Sequence, residues 1–333
     1  MKFDKNSTQT PVEGTTPLSV SSKYLEYKVA VLMAGPIRYA PLVIKRLESV
    51  LDGLNFEIFA LIWKEDLGNK RRDRDNLADI DLVLAHPKVS ACITAVPLPE
   101  EFYSSTVGIE TGSNSSINAT MGMFYSMSAL YRYIEQLPNR KTFTHALRIR
   151  TDCLIITNSF VSMLDFCSGT LTVSKNPFIP SAWLSDHLTF GTWEDFGKLW
   201  AHNAIEDIYF FYKQGGRNPE QTLAMIARRR ARQIRIQPRL MRFIDYHIIY
   251  YPVKDHDPAW INLALKNFGV DSLFNDPSAF VDKEESEHLH QRLIKSRNKP
   301  DRNMSLLYRI AARLPDRVKV YMRKIYKKWS LSR

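Results

Sequence analysis

The sequence predicts an α/β fold on a mostly parallel sheet with a crevice along its carboxyl edge, and three observations predict it. Short apolar runs of strand length alternate with stretches of helical period from Tyr27 to Ile156, the order that builds such sheets. Two of those runs end in turn or charged residues, Gly35-Pro36 and Lys64-Glu65-Asp66, where a carboxyl-edge crevice would lie. The stretch Thr144–Ile156 mixes a buried-strand pattern with Arg148, Arg150 and Asp152 at every second position. Charges on a strand bound for the interior need an offset. Either that face meets an anion and a cation in a crevice, or Arg150 and Asp152 form an internal ion pair.

The elements follow in order. Tyr27–Ala34 is an apolar run closed by Gly35-Pro36, and Ile44, Leu47 and Leu51 then keep helical spacing. Phe56–Trp63 and Val89–Val96 read as a second and third strand. The mixed charges of Lys70–Asp75 between them read as the start of a solvated helix. A long helical pattern from Ile117 to Leu137 carries Met121, Tyr125, Leu130 and Ile134 near one stripe and stops before Pro138. The charged strand follows, with Ala146, Leu147, Ile149 and Cys153–Ile156 as its apolar positions. Leu188-Thr189-Phe190 is strand-like, and Thr192 opens a helix with Glu194 and Asp195 in its first turn. If Asp186 and His187 belong to that strand they alternate, so His187 points away from Asp186. Glu220 follows Pro219, as a first-turn acid does.

Composition bounds the reading. The chain has 333 residues and a formal net charge of +11, which calls for anionic partners without choosing among nucleotide phosphates, nucleic acid and an acidic membrane. Its three cysteines, Cys92, Cys153 and Cys167, suggest neither a disulfide framework nor a zinc site, and a reducing compartment suits them. Residues 1–23 read as a disordered polar arm without the apolar core of a signal peptide, so a cytoplasmic location is expected. No Walker glycine loop supports phosphoryl transfer. Two basic segments stand out. Arg228–Arg242 carries no acid, and helical spacing would bury Ile226, Ile234, Leu240 and Met241. In the tail, Val318, Met322, Ile325 and Trp329 form an apolar stripe beside five basic residues, Lys319, Arg323, Lys324, Lys327 and Lys328. That pattern suits the surface of an anionic bilayer, the expected partner of this helix, ahead of the alternative of a terminal helix docked on its own domain.

Several motifs in order resemble the WavE-type glycosyltransferases of bacterial lipopolysaccharide and capsule synthesis. They are Met33–Arg38, Trp63–Asp66, Arg148–Asp152, Ser185–Gly191 and Pro219-Glu220-Gln221, and the resemblance spans roughly residues 27 to 255. It implies a Rossmann-like, nucleotide-sugar-binding core of the single-domain (GT-A-like) type over residues 24–255. Beyond it we expect an accessory helical or loop region at 256–304 and a basic amphipathic helix at 305–333. The implied reaction moves a sugar from a nucleotide-diphosphate donor to a glycan or lipid-linked saccharide, on the inner face of the membrane and peripheral to it. A basic nucleic-acid-binding protein and a non-catalytic nucleotide-sugar-binding relative are the alternatives. No nucleic acid is expected as partner, since no nucleic-acid motif accompanies the basic blocks.

The resemblance places Gly35, Pro36, Arg38, Trp63, Asp66, Arg148 and Arg150 at the donor, and Glu220 near the acceptor. Asp186 is the candidate general base, because deprotonating an acceptor hydroxyl needs a carboxylate or His within hydrogen-bond reach. Asp152 is the second catalytic candidate. It matches the second acid of an Asp-x-Asp metal motif whose first position is here Arg150. Two arrangements stay open: a magnesium or manganese ion on Asp152 and the diphosphate, or a metal-free site in which Arg148 and Arg150 take the cation's place.

Overall fold

The computed structural model describes residues 24–64, 79–99, 102, 117–176, 179–201, 207, 214, 218–242 and 245–248. The polar arm, Lys70–Asp75, Asp66, the accessory region and the basic tail helix lie outside the described residues. Nine strands and six α-helices are described: β1 (Lys28–Gly35), α1 (Ala40–Val50), β2 (Asn55–Trp63), α2 (Asp79–Leu84), β3 (Val89–Ala95), α3 (Ile117–Glu135), β4 (His145–Ile149), β5 (Cys153–Ile155), α4 (Phe160–Met163), β6 (Thr170–Lys175), β7 (Leu188–Thr192), α5 (Trp193–Trp200), α6 (Pro219–Arg230), β8 (Arg235–Met241) and β9 (Tyr246–Ile248).

Seven strands form one sheet in the order β3-β2-β1-β4-β7-β6-β8. The first four are parallel, β7 runs against both β4 and β6, and β8 is again parallel to β6. The mixed α/β class and the mostly parallel sheet are as the alternation of patterns predicts. β1 is hydrogen-bonded on both sides and buried from Val29 to Gly35, which is why its sequence is continuously apolar rather than alternating.

Two apolar layers cover the sheet. On one face Ala30, Leu32, Phe59 and Ala146 pack with Phe124 and Met127 of α3, Phe196 and Trp200 of α5 and Leu223 of α6. On the other, Val31, Met33, Leu147 and Ile149 pack with Ile44 and Leu47 of α1. The alternation along β4 therefore sends Arg148 to the α3/α5 face together with Ala146. Thr192 caps α5 by accepting from the Asp195 amide, and Asn218 caps α6 by accepting from the Gln221 amide.

Two sequence readings change. The charged strand is not continuous: β4 stops at Ile149, a turn closes with the Cys153 amide donating to the Arg150 carbonyl at 3.0 Å, and β5 pairs antiparallel with β9 in a separate sheet. The alternation that joins Arg148 to Asp152 on one face thus fails after β4. The arginine-rich segment is likewise not one helix. It divides into the end of α6 and the strand β8, where Pro238 is tolerated because β8 pairs on one side only among the described residues. The expected burial of Ile226, Ile234, Leu240 and Met241 holds nonetheless. No helix among the described residues is long and apolar enough to cross a membrane.

Close packing around β7 generates a test. Gly191 lies between Ala146 and Leu171 in the sheet, and a Cβ there would stand 3.0 Å from the Thr170 carbonyl oxygen and overlap the Leu171 side chain. Gly191→Ala is expected to lower stability by about 1–3 kcal/mol, the usual range for overpacking, read as an earlier urea midpoint with an unchanged slope.

Candidate active site

The sheet delivers the site. β1, β4, β6 and β8 end at one edge, and because β7 runs the other way its first residues begin there. Five segments therefore converge: Gly35–Arg38, Arg148–Asp152, Ser185–His187, Glu220 at the head of α6, and Arg242 after β8. They are tied by main-chain bonds. The Arg150 amide donates to the His187 carbonyl at 3.3 Å, the Leu184 amide donates to the Glu220 carbonyl at 3.2 Å, and the Thr151 hydroxyl donates to the Pro36 carbonyl at 2.6 Å.

Asp152 is the centre of the arrangement and is wholly buried. Arg150 grips it with two bonds of 2.9 Å, Nε donating to Oδ1 and Nη2 to Oδ2, while Arg38 Nη1 donates to Oδ2 at 2.5 Å. The Arg150 and Arg38 charges hold this carboxyl well below the usual carboxylate range against the opposing effect of burial. Arg38 reaches it from a left-handed backbone, φ 42°, which a non-glycine residue adopts only where its surroundings enforce it. Gly35, φ 138°, supplies the preceding turn, where a side chain would be strained. The internal ion pair is thus the arrangement found. Asp152 as a metal ligand is corrected: both of its oxygens already accept from guanidiniums, so a cation would meet positive charge.

Arg148 lies beneath these groups, 1% exposed, with its guanidinium 4.3 Å over the Trp200 ring and Nη2 3.9 Å from Asp186. Among the described residues its Nε and Nη1 have no hydrogen-bond partner. Burial lowers its pKa to about 10, so it stays charged at neutral pH. It acts on the crevice by its field rather than by contact. Arg150 and Arg38 keep side-chain exposures of 23% and 14% and can touch a ligand.

Asp186 is buried, with Arg150 at 3.6 Å, and the nearby guanidiniums hold its carboxyl below the ordinary range despite burial. His187 does not point away. β7 begins only at Leu188, so strand alternation does not apply, and the imidazole is 3.7 Å from Asp186 and 3.0 Å from the Tyr246 hydroxyl. Burial lowers its pKa to about 3, leaving it neutral. Glu220 is moved the other way, up to about 7, by burial and by the Asp186 charge. Asp186, His187 and Glu220 each offer a ligand atom, all within 4.8 Å of one another. This is where the described residues could hold a divalent cation, and their neutral imidazole and two carboxyls fit one.

Trp63 ends β2, but its indole is buried and donates to Ser126 at 2.8 Å, so it packs α3 rather than walling the crevice. Pro36 contributes a carbonyl. Sequence reading missed Arg242 and Tyr246, whose only signal was a basic and an aromatic residue after an arginine-rich run. Four arginines, Arg38, Arg148, Arg150 and Arg242, act on groups that include two low-pKa carboxylates, Asp152 and Asp186. Among these named groups the arginines outnumber the two ionised carboxylates while Glu220 holds its proton. They lie at the carboxyl edge of the sheet, where α/β folds bind ligands.

No protein-family profile and no curated protein matches the chain. Among solved structures it is similar to the galactosyltransferase LgtC in complex with donor and acceptor sugar analogues, with 10% identity and a TM-score of 0.42 over 82% of this chain and 98% of that one. An active-site mutant of LgtC is similar at 9% identity and a TM-score of 0.40, over 62% and 72% of the two chains. An overlap that loose assigns neither fold family nor chemistry.

The Asp152 cluster makes a direct prediction. Asp152→Asn leaves two partly exposed guanidiniums without their buried counter-charge, and up to about 3 kcal/mol of stability should be lost, the lower end of what removing one partner of a buried pair costs. Asp152 has a lowered folded pKa, so its contribution is present above its unfolded value and disappears as pH falls through the folded one. Urea unfolding of the variant should show a weaker acid dependence below pH 4 than that of the unaltered chain.

Proposed function

We propose that the chain is a glycosyltransferase that moves a sugar from a nucleotide-diphosphate donor to a glycan or lipid-linked saccharide hydroxyl in the synthesis of a surface polysaccharide such as lipopolysaccharide or capsule. One observation carries the reading: arginines in excess share a sheet-edge crevice with a carboxyl group, Glu220, whose pKa is raised to about 7. The motif resemblance adds the donor class.

The reaction asks two things of the protein. As the bond from the anomeric carbon to the diphosphate oxygen breaks, negative charge grows on the leaving group and must be stabilised where it develops. Arg150 and Arg38 are placed to do this, with the Arg148 charge behind them. As the acceptor oxygen bonds to the anomeric carbon it sheds a proton. A base with a pKa near the working pH takes that proton best, which favours Glu220 over Asp186. Asp186, held ionised by the arginines, raises the affinity of Glu220 for the proton and positions it.

A second use of the same residues rests on the closeness of Asp186, His187 and Glu220. A magnesium or manganese ion held by these three side chains would supply positive charge to the leaving diphosphate. The protein's own part would be to offer a neutral His187 and to give up the Glu220 proton. Nucleotide-diphosphate stabilisation that vanishes with chelator assigns the triad to the metal; stabilisation that survives assigns it to proton transfer. In cellular terms we place the enzyme in the cytoplasm, peripheral to the inner face of the membrane.

Two measurements test the scheme. A thermal-shift series with nucleoside diphosphates and nucleotide sugars should raise the midpoint of the unaltered chain, and Arg150→Met should weaken the response about tenfold or more; no response to any nucleotide sinks the donor assignment. With Glu220 as base, kcat/KM in metal-free buffer should climb with pH through about 7 and then level, because the carboxylate is the active form. Glu220→Gln should cost about 10²–10⁴ in rate while leaving the nucleotide-induced shift in place.

A further inference from the structure

The groove beside α6 lies outside the crevice, and its chemistry differs. It encloses about 550 Å³ between α6, β8 and the segment before Ser185. Its walls are apolar and mostly small: Ala182, Leu184, Ala224, Ala227, Ala231 and Ile234. Two exposed arginines, Arg228 and Arg232, line it as well. Among the described residues no carboxylate holds either one. Arg228 Nη2 donates to the Ala182 carbonyl at 3.2 Å and Arg232 Nε donates to the Arg228 carbonyl at 3.0 Å, so both guanidiniums meet neutral acceptors at the mouth.

The groove adjoins the segments that carry the crevice. Leu184 lines the groove, its amide donates to the Glu220 carbonyl, and Asp186 follows two residues later. Along α6, Glu220 and Arg228 are eight residues apart, about 12 Å at the helical rise. A molecule with its apolar chain against Ala231, Ile234 and Ile236 and an anionic group at Arg228 and Arg232 would leave the stretch along Ala224 and Leu184 for whatever hangs from that group on the side of Glu220.

The geometry points to a single-chain lipid phosphate as the occupant, the anchor of a lipid-linked saccharide acceptor. The charge at the mouth selects the phosphate, and an unbranched or isoprenoid chain suits a groove walled by alanines. The interval to Glu220 leaves room for a saccharide between phosphate and reacting hydroxyl. This deepens the glycosyltransferase reading and rests on it for the acceptor role, whereas binding of the lipid phosphate does not.

The test uses the full chain and dodecyl phosphate below its micelle concentration, followed by thermal shift and by equilibrium dialysis. Affinity should rise about fourfold per added methylene from octyl to dodecyl phosphate, as burial of each group requires. Dodecanol and inorganic phosphate should each bind at least tenfold more weakly. The double variant R228E/R232E, at two exposed positions, should lose tenfold or more in affinity for dodecyl phosphate yet keep its nucleotide-diphosphate shift. Equal binding by that variant, or equal binding of dodecanol, overturns the proposal, as does a groove filled by a second copy, seen as concentration-dependent dimerisation that excludes dodecyl phosphate. If dodecyl phosphate binds as stated and no nucleotide does, the groove stands and the glycosyltransferase reading falls.

Discussion

The site depends on a buried carboxylate shared by two guanidiniums. Asp152 is inaccessible to water, and its charge is tolerable only because Arg150 and Arg38 supply the lost hydration as directed hydrogen bonds. That requirement shapes the backbone on both sides. β4 must stop at Ile149 so that the turn can bring Arg150 and Asp152 face to face, and the loop after β1 must hold Arg38 at positive φ to complete the set. Thr151 ties the two loops together through the Pro36 carbonyl. The ion cluster is therefore a joint between adjacent strand ends as much as a feature of the crevice.

The reversed strand β7 has the next largest effect. In a wholly parallel sheet, residues preceding a strand lie at the edge opposite the crevice. Running β7 antiparallel between β4 and β6 puts Ser185–His187 among the carboxyl ends of its neighbours. Three environments then separate the titrations of three adjacent groups. Guanidiniums keep Asp186 ionised, burial keeps His187 neutral, and burial with the Asp186 charge leaves Glu220 near neutrality. Groups of different pKa in contact are what acid–base chemistry needs.

Much of this was legible in the residues. The central strand β1 showed as a continuous apolar run, α3 as a helical stripe, α5 by its cap and α6 by its first-turn Pro and acid, because those signals are local. Arg148, Arg150 and Asp152 stood out as charges in apolar surroundings, Asp186 and Glu220 through the motif resemblance, and all five come to one edge. Their pairing did not show. Whether Arg150 meets Asp152 across a turn or alternates with it along a strand depends on where β4 ends, which is set by pairing with β1 and β7 rather than by the stretch itself. His187 was misdirected for the same reason. β8 escaped notice because a strand carrying Pro238 and several arginines has neither strand alternation nor an apolar run.

The sealed position of Arg148 has a consequence for the life of the protein in a cell. A buried cation whose Nε and Nη1 find no hydrogen-bond partner among the described residues is costly to fold, and an anion drawn to its field relieves part of that cost. Free ligand at a hundred times its dissociation constant adds about 2.7 kcal/mol to the folded state. With a nucleotide-diphosphate donor as proposed, the chain's resistance to proteolysis would follow the supply of that donor, and starvation for it would shorten the lifetime of the protein.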